Sequence, residues 1–295
     1  MLKNCAVCGI NKHVRPALTY NGLDIVRCKK CGLYFVNEDF TPLKLSELYK
    51  EDMYDNYWKY NSGFYEKHWQ EMESRQEDII SDLKKESVNI DRYYKSGKLL
   101  DLGCFKGHFC KIMHDRGWET IGVDISREAI EFGKKEFGLD LHCGELKSLG
   151  INSGSFDVAT LWGVIEHFKE PRSVIKEVAH VLKNDGLLVI KTQSQASLLT
   201  DIALLLHALT FKRMVSHLDF FYSREHLYRF SPCNLTKLLE SEGFSVKEIR
   251  YDSAYIIKFA LKSAKPYIRF SVGLMESWAR LFNKQDKMTL YAVKK

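Results

Sequence analysis

Hydrophobic side chains make up 45% and charged ones 28% of the 295 residues, the balance of an ordinary globular protein. The opening MLKNCAVCG lacks the apolar run of a signal peptide. The most apolar stretch, residues 198–211, is broken by Asp201 and His207 and is shorter than the ~20 residues a membrane span requires, so a cytoplasmic protein is expected. The net charge of +6 is uneven: residues 254–295 hold nine Lys or Arg against two acids, which is +7 and leaves −1 for the rest. That is not the basic face of a general nucleic-acid binder.

The first forty residues read as a unit, with a short β segment around Leu18–Val26. Cys5-Ala-Val-Cys8 is followed after nineteen residues by Cys28-Lys-Lys-Cys31, and Gly9 and Gly32 come directly after the two pairs. Such glycines permit the tight turns that aim thiolates at one ion, and two knuckles at this separation can close a tetrahedral four-thiolate site. Four protein ligands leave no open position, so a structural zinc is expected on Cys5, Cys8, Cys28 and Cys31. The other four cysteines, Cys104, Cys110, Cys143 and Cys233, are scattered and read as free buried thiols of a reducing compartment.

Residues 41–95 are polar and aromatic, with a helix expected over Phe64–Ile90 as a connector. From Lys98 apolar strands alternate with amphipathic helices. LLDLG and WETIGVD read as strands, Ser126 caps the helix REAIEFGKKEF, and Gly138 closes it. FDVATLWG is a third strand. Pro171 opens a helix with Val174, Ile175, Val178, Val181 and Leu182 on one face, Gly186 ends it, and LLVIKT follows as a strand. The alternation implies a doubly wound, mostly parallel α/β sheet. After Gln193 the rhythm breaks. Residues 195–230 read as an insertion where such folds place a substrate lid, and a helix at Pro232–Glu242 and strands FSVKEIRYD and MTLYAVKK complete the chain.

Asp101-Leu-Gly103-Cys-Phe105-Lys-Gly107 lies between a strand and a helix, and Asp124 ends the next strand. A glycine-rich turn followed by an acid that can accept from both ribose hydroxyls is a general nucleotide signal. The spacing differs from the G-x-G-x-x-G of dinucleotide binders, which favours a methyl donor. From about Leu99 to Gln193 the chain resembles the class I S-adenosylmethionine-dependent methyltransferases, through DLGCFKG, GVDIS, CGELKSL, FDVATLWGVIEHFKEP and LKNDGLLVIKT in order. The paired CxxC knuckles and EHLYRFSPCNLTKLLESEGF look like bacterial members found with sugar, polysaccharide and natural-product pathways. The resemblance implies a Rossmann-like fold with a seven-stranded sheet, a zinc ribbon-like module over residues 1–40, a connector over 41–95 and a methyltransferase domain over 96–295. It also implies that Asp101, Gly103 and Gly107 hold the methionine part of S-adenosylmethionine. Asp124 would bind the ribose, Ile125 would pack on the adenine, Glu145 or the Leu146 amide would meet its amino group, and Trp162 and Gly163 would line the pocket beside the sulfonium. Phe105 departs from the pattern, which usually has a small residue there.

Methyl transfer to a hydroxyl or amine needs a proton acceptor, and His167 after the FDVATLWG strand and His226 in the insertion are the candidates; His167 reads equally as a structural histidine. His217, Tyr222 and Tyr228 are further insertion candidates. In the basic segment 254–285, Lys258, Lys262, Lys265 and Arg269 fall at helical steps among many aromatics. It reads either as a solvated face over a packed helix or as a peripheral contact with an anionic membrane. The expected activity is methylation of a small molecule or glycan, for example a nucleotide-linked sugar or a surface polysaccharide. One alternative is an RNA methyltransferase gripping nucleic acid through the zinc module, although residues 1–40 carry only six basic against three acidic residues. The other is a non-catalytic binding protein with an altered Phe105 turn.

Overall fold

The structure, a computed structural model, describes residues 2–20, 23–37, 69–209, 226–253 and 265–295. The expectations for His217, Tyr222, Lys258, Lys262 and residues 64–68 lie outside these. Backbone contacts divide the chain into two compact units, one of residues 39–159 and one of residues 1–38 with 160–295.

The 39–159 unit starts, among the described residues, with α1 (Trp69–Ile90) and β4 (Lys98–Leu102). It continues through α2 (His108–His114), β5 (Glu119–Asp124), α3 (Arg127–Phe137) and β6 (Asp140–Cys143). Helix α1 packs against α2. Strands β4, β5 and β6 pair in parallel, Leu100 opposite Ile121 and Val123 opposite His142. Ser126 caps α3 by accepting from the Ala129 amide at 3.3 Å, and Gly138 closes it at φ 64°. The close approach of β5, β6 and the turn after β4 demands glycine: a Cβ on Gly122 would meet Leu141 Cδ2 at 2.5 Å and Cys104 Sγ at 2.7 Å.

β7 (Phe156–Trp162) runs on into the other unit, which then adds α4 (Pro171–Val181), β8 (Leu182–Gln193) and α5 (Leu198–Leu209). After these come β9 (Tyr228–Arg229), α6 (Pro232–Ser241), β10 (Phe244–Asp252), α7 (Pro266–Leu281) and β11 (Lys287–Lys294). The main sheet has seven strands in the order β10-β11-β8-β7-β4-β5-β6, the Rossmann-like, mostly parallel arrangement expected, with β11 antiparallel to both β10 and β8. Helix α4 stops at Val181, short of Gly186: Leu182 is already extended at ψ 140°, Asp185 turns the chain at φ 62°, and pairing with β11 begins at Leu187. Among the described residues no helix is long and apolar enough to cross a membrane.

The first residues of this unit form a second sheet, β1 (Val14–Tyr20), β2 (Leu23–Cys28) and β3 (Tyr34–Val36), antiparallel throughout. Its fourth strand is β9, from nearly two hundred residues downstream, with Tyr34 opposite Arg229 and Phe35 opposite Tyr228. Helix α5 also packs here, Ala203 joining Leu18 and Ile25 in one cluster. One expectation is corrected. Cys143 and Cys233 are exposed, and only Cys104 and Cys110 of the scattered thiols are buried. Of the four basic residues at helical steps, Lys265 caps the start of α7 at ψ 150°, Pro266 is its first residue and Arg269 lies in its first turn.

Candidate functional site

In the 39–159 unit the glycine-rich turn joins β4 to α2. Gly103 and Gly107 both sit at φ 77°, and Phe105 between them takes φ 50°. That left-handed geometry costs a non-glycine residue ~1–2 kcal/mol. It has a use: the Phe105 amide points at Asp124 and donates to Oδ2 at 2.8 Å, while the Ser126 amide donates to Oδ1 at 2.8 Å. The carboxylate at the end of β5 is thus fixed through both oxygens, each keeping a lone pair for a ligand hydroxyl. The Phe105 ring is largely exposed, with Lys106 Nζ 5.5 Å from its centroid.

Ile125, next to this acid, is 56% exposed, an apolar surface beside a fixed carboxylate. Asp101 is buried at the end of β4, and burial and its charge push the Cys110 thiol far above its ordinary range. Glu145 is exposed and paired with Lys147 at 2.6 Å, while Leu146 behind it is buried. Gly144 donates to the Asp124 carbonyl at 2.9 Å, which holds this loop against the end of β5.

In the other unit, Trp162 ends β7 half-buried, and Gly163 follows at φ 68° with its amide bonded to the Lys191 carbonyl at 2.8 Å. The next turn brings Glu166 and His167 to His226, so that one ligand atom of each lies within 4.8 Å of the others. The two imidazoles meet edge to face, with centroids 4.7 Å apart. Burial, then the charges of Arg229 and His167, hold His226 well below the ordinary imidazole value, so its ring is neutral. Glu166 Oε2 and His226 Nδ1 are both buried, with no hydrogen-bond partner among the described residues. Sequence reading named both histidines and missed Glu166; the adjacent EH pair was the available signal, but burial separates it from any surface acid.

The backbone fixes His226 on two sides. The Leu227 amide donates to the Glu166 carbonyl at 2.9 Å, and the Val36 amide donates to the Leu227 carbonyl at 2.9 Å. Tyr228 Oη donates to the Lys169 carbonyl at 3.0 Å.

The four N-terminal cysteines converge. Gly9 and Gly32 take φ 75° and 78°, and their amides donate to the Cys5 and Cys28 carbonyls at 2.7 Å. The Sγ atoms of Cys5, Cys8, Cys28 and Cys31 all lie within 4.8 Å of one another, with 3.5 Å between Cys5 and Cys31 and 3.9 Å between Cys8 and Cys28. A tetrahedron with Zn–S bonds of ~2.3 Å has edges of ~3.8 Å. Arg172, near the start of α4, donates to the carbonyls of Ala6 (3.2 Å) and Val7 (2.7 Å) inside the first knuckle and pairs with Glu242.

Residues 70–249 match the family described as Methyltransferase domain. The chain belongs to that family. Among curated relatives, this chain is 33% identical over 105 residues to the ubiquinone biosynthesis O-methyltransferase of Haemophilus ducreyi, covering 32% of this chain and 44% of that one. It is 31% identical over 166 residues to the mitochondrial ubiquinone biosynthesis O-methyltransferase of Schizosaccharomyces pombe, covering 53% and 58%. The chain thus spans about half the length of these relatives. In fold, the chain is similar to a SAM-dependent methyltransferase from Archaeoglobus fulgidus, with a TM-score of 0.52, 21% identity, and coverage of 73% of this chain and 94% of that one.

Proposed function

We propose that this chain transfers the methyl group of S-adenosylmethionine to a small-molecule or glycan acceptor, with a structural zinc on its N-terminal cysteines. The observation that carries the reading is Asp124, a carboxylate fixed by two backbone amides beside exposed Ile125. This is the chemistry a ribose and an adenine face call for. The relatives' names, O-methyltransferases of ubiquinone biosynthesis, support a small-molecule acceptor.

S-adenosylmethionine, when bound, supplies an electrophilic methyl on a sulfonium; the protein's tasks are to position the acceptor and take its proton. In the proposed mechanism the neutral His226 ring, beside Glu166, takes the proton of the acceptor hydroxyl or amine as the new bond forms, and His167 packs edge-on against that ring and limits its rotation. The zinc assignment rests on the two sulfur separations, which bracket the ~3.8 Å edge of a four-thiolate shell.

The experiment is calorimetric titration with S-adenosylmethionine for the parent and for Asp124→Ala. Binding by the parent and a loss of about tenfold to a hundredfold in the variant are expected, since hydrogen bonds to a charged group contribute ~1.5–3 kcal/mol. A parent that does not bind would remove the methyltransferase reading.

A further inference from the structure

Helix α7 shows its large apolar side chains to solvent. Tyr267, Phe270, Leu274, Trp278 and Leu281 are each 50–73% exposed. At 3.6 residues per turn the five project within an arc of about 80°. Glu276 and Ala279, on the far side of the helix, are the buried positions. Phe282 extends the stripe, stacked on Trp278 with centroids 5.6 Å apart. A surface helix ordinarily buries its apolar stripe and leaves polar residues outside, and α7 reverses this. Contiguous exposed apolar surface marks a place of interaction. Helix α5 adds exposed Leu205 and Leu209, and it is tied to the end of α7 through the Leu198 amide on the Lys284 carbonyl (2.8 Å) and the Lys284–Asp201 ion pair.

Charge selects the partner. Lys265, Arg269 and Arg280 are exposed along α7. Its one acid, Glu276, is buried and engaged by Ser253 and by Arg280 Nε at 3.0 Å, so it adds no negative charge to the outer face. A second copy of the chain would bring two faces of the same positive sign together, which opposes self-association. Aromatic and leucine side chains on a helix that also exposes Lys265 and Arg269 instead suit the headgroup boundary of an anionic bilayer, where a helix lies flat with its apolar stripe inward.

We propose that α7 docks this protein on anionic membrane surfaces, its aromatic stripe entering the headgroup layer with Lys265 and Arg269 over the acidic lipids. This does not depend on the methyl-transfer reading. The test is sedimentation of the full chain with phosphatidylcholine vesicles containing about a third phosphatidylglycerol, beside pure phosphatidylcholine. Binding to the acidic vesicles is expected, falling as salt is raised. The Phe270→Glu/Trp278→Glu variant should bind about tenfold or more weakly while circular dichroism shows it folded. Should that variant prove unfolded, Arg269→Glu, which leaves the apolar stripe intact, should still weaken binding. A folded parent that binds acidic vesicles no better than neutral ones, or a folded double variant that binds as the parent does, overturns the proposal. So does a parent that sediments as a dimer and becomes a monomer with the double variant, which would assign the face to a second copy.

Discussion

At the scale of single residues, the structure turns Phe105 from an oddity into a part with a role. Its left-handed φ of 50° aims an amide at Asp124, and glycine adopts that geometry without the steric cost. Phe105→Gly should therefore leave S-adenosylmethionine affinity near the parent's and raise or barely change the melting temperature. A tenfold loss of affinity would show instead that the ring itself contacts the ligand. Gly107 answers differently: at φ 77°, with Leu141 Cδ1 2.9 Å from an added Cβ, Gly107→Ala should destabilise by about 1–3 kcal/mol in denaturant titration.

His226 yields a pH prediction. Its folded value is depressed, so above about 6.5 both folded and unfolded chains hold it neutral and it adds no pH dependence. As the pH falls below that, the unfolded chain takes the proton first and stability declines, by at most about 1.4 kcal/mol per pH unit from this group, until the folded value is passed. The half-buried His108 imidazole is lowered by desolvation and by Lys106 and acts in the same direction. His226→Gln should flatten that acid limb in chemical denaturation measured across pH. The same variant should lower single-turnover methyl transfer by about a hundredfold or more with cofactor affinity retained, and an unchanged rate would remove it as the base.

At the scale of elements, β9 joins two parts that sequence separates. The two-residue strand pairs with β3 of the cysteine-bearing sheet, and His226 stands two residues before it. Arg172 reinforces the arrangement by reaching from α4 to the first knuckle, with Glu242 behind it. Arg172→Ala leaves two carbonyls and a buried carboxylate short of a donor, a cost of about 1–3 kcal/mol. Hydrogen exchange should show faster opening across residues 14–36, with β4, β5 and β6 protected as in the parent. Uniform loss of protection would mean that the first forty residues and the parallel strands open together.

At the scale of the whole molecule, the fixed carboxylate and the histidine pair fall in different compact units, Asp124 in residues 39–159 and His167 and His226 in the unit that also holds the four cysteines. Removal of zinc by a chelator should then loosen β3 and β9 and depress turnover while S-adenosylmethionine still binds. Metal analysis should give one zinc per chain for the parent and none for Cys28→Ser. Equal loss of cofactor affinity on chelation would show that the metal supports both units.

Much of this was legible in the sequence because it is local. Strand and helix periodicity, the Ser126 cap, the glycines after each cysteine pair and the acid closing β5 are set by neighbours a few residues away, where sterics and hydrogen bonding act within the segment. Pairings across long separations were not legible: β9 against β3, Arg172 against Ala6 and Val7, and α5 on the β1–β2 hairpin depend on contacts that leave no local pattern. Burial was equally out of reach. Cys143 and Cys233 stand in surroundings like those of Cys104 and Cys110 yet end exposed, and Glu166 reads as any surface acid until folding removes it from water beside His226. The sequence by itself determined the α/β sheet, the cysteine quartet and the acid that closes β5; only the tertiary structure decided which side chains lose solvent and which distant strands become neighbours, because desolvation and long-range pairing are properties of the assembled chain.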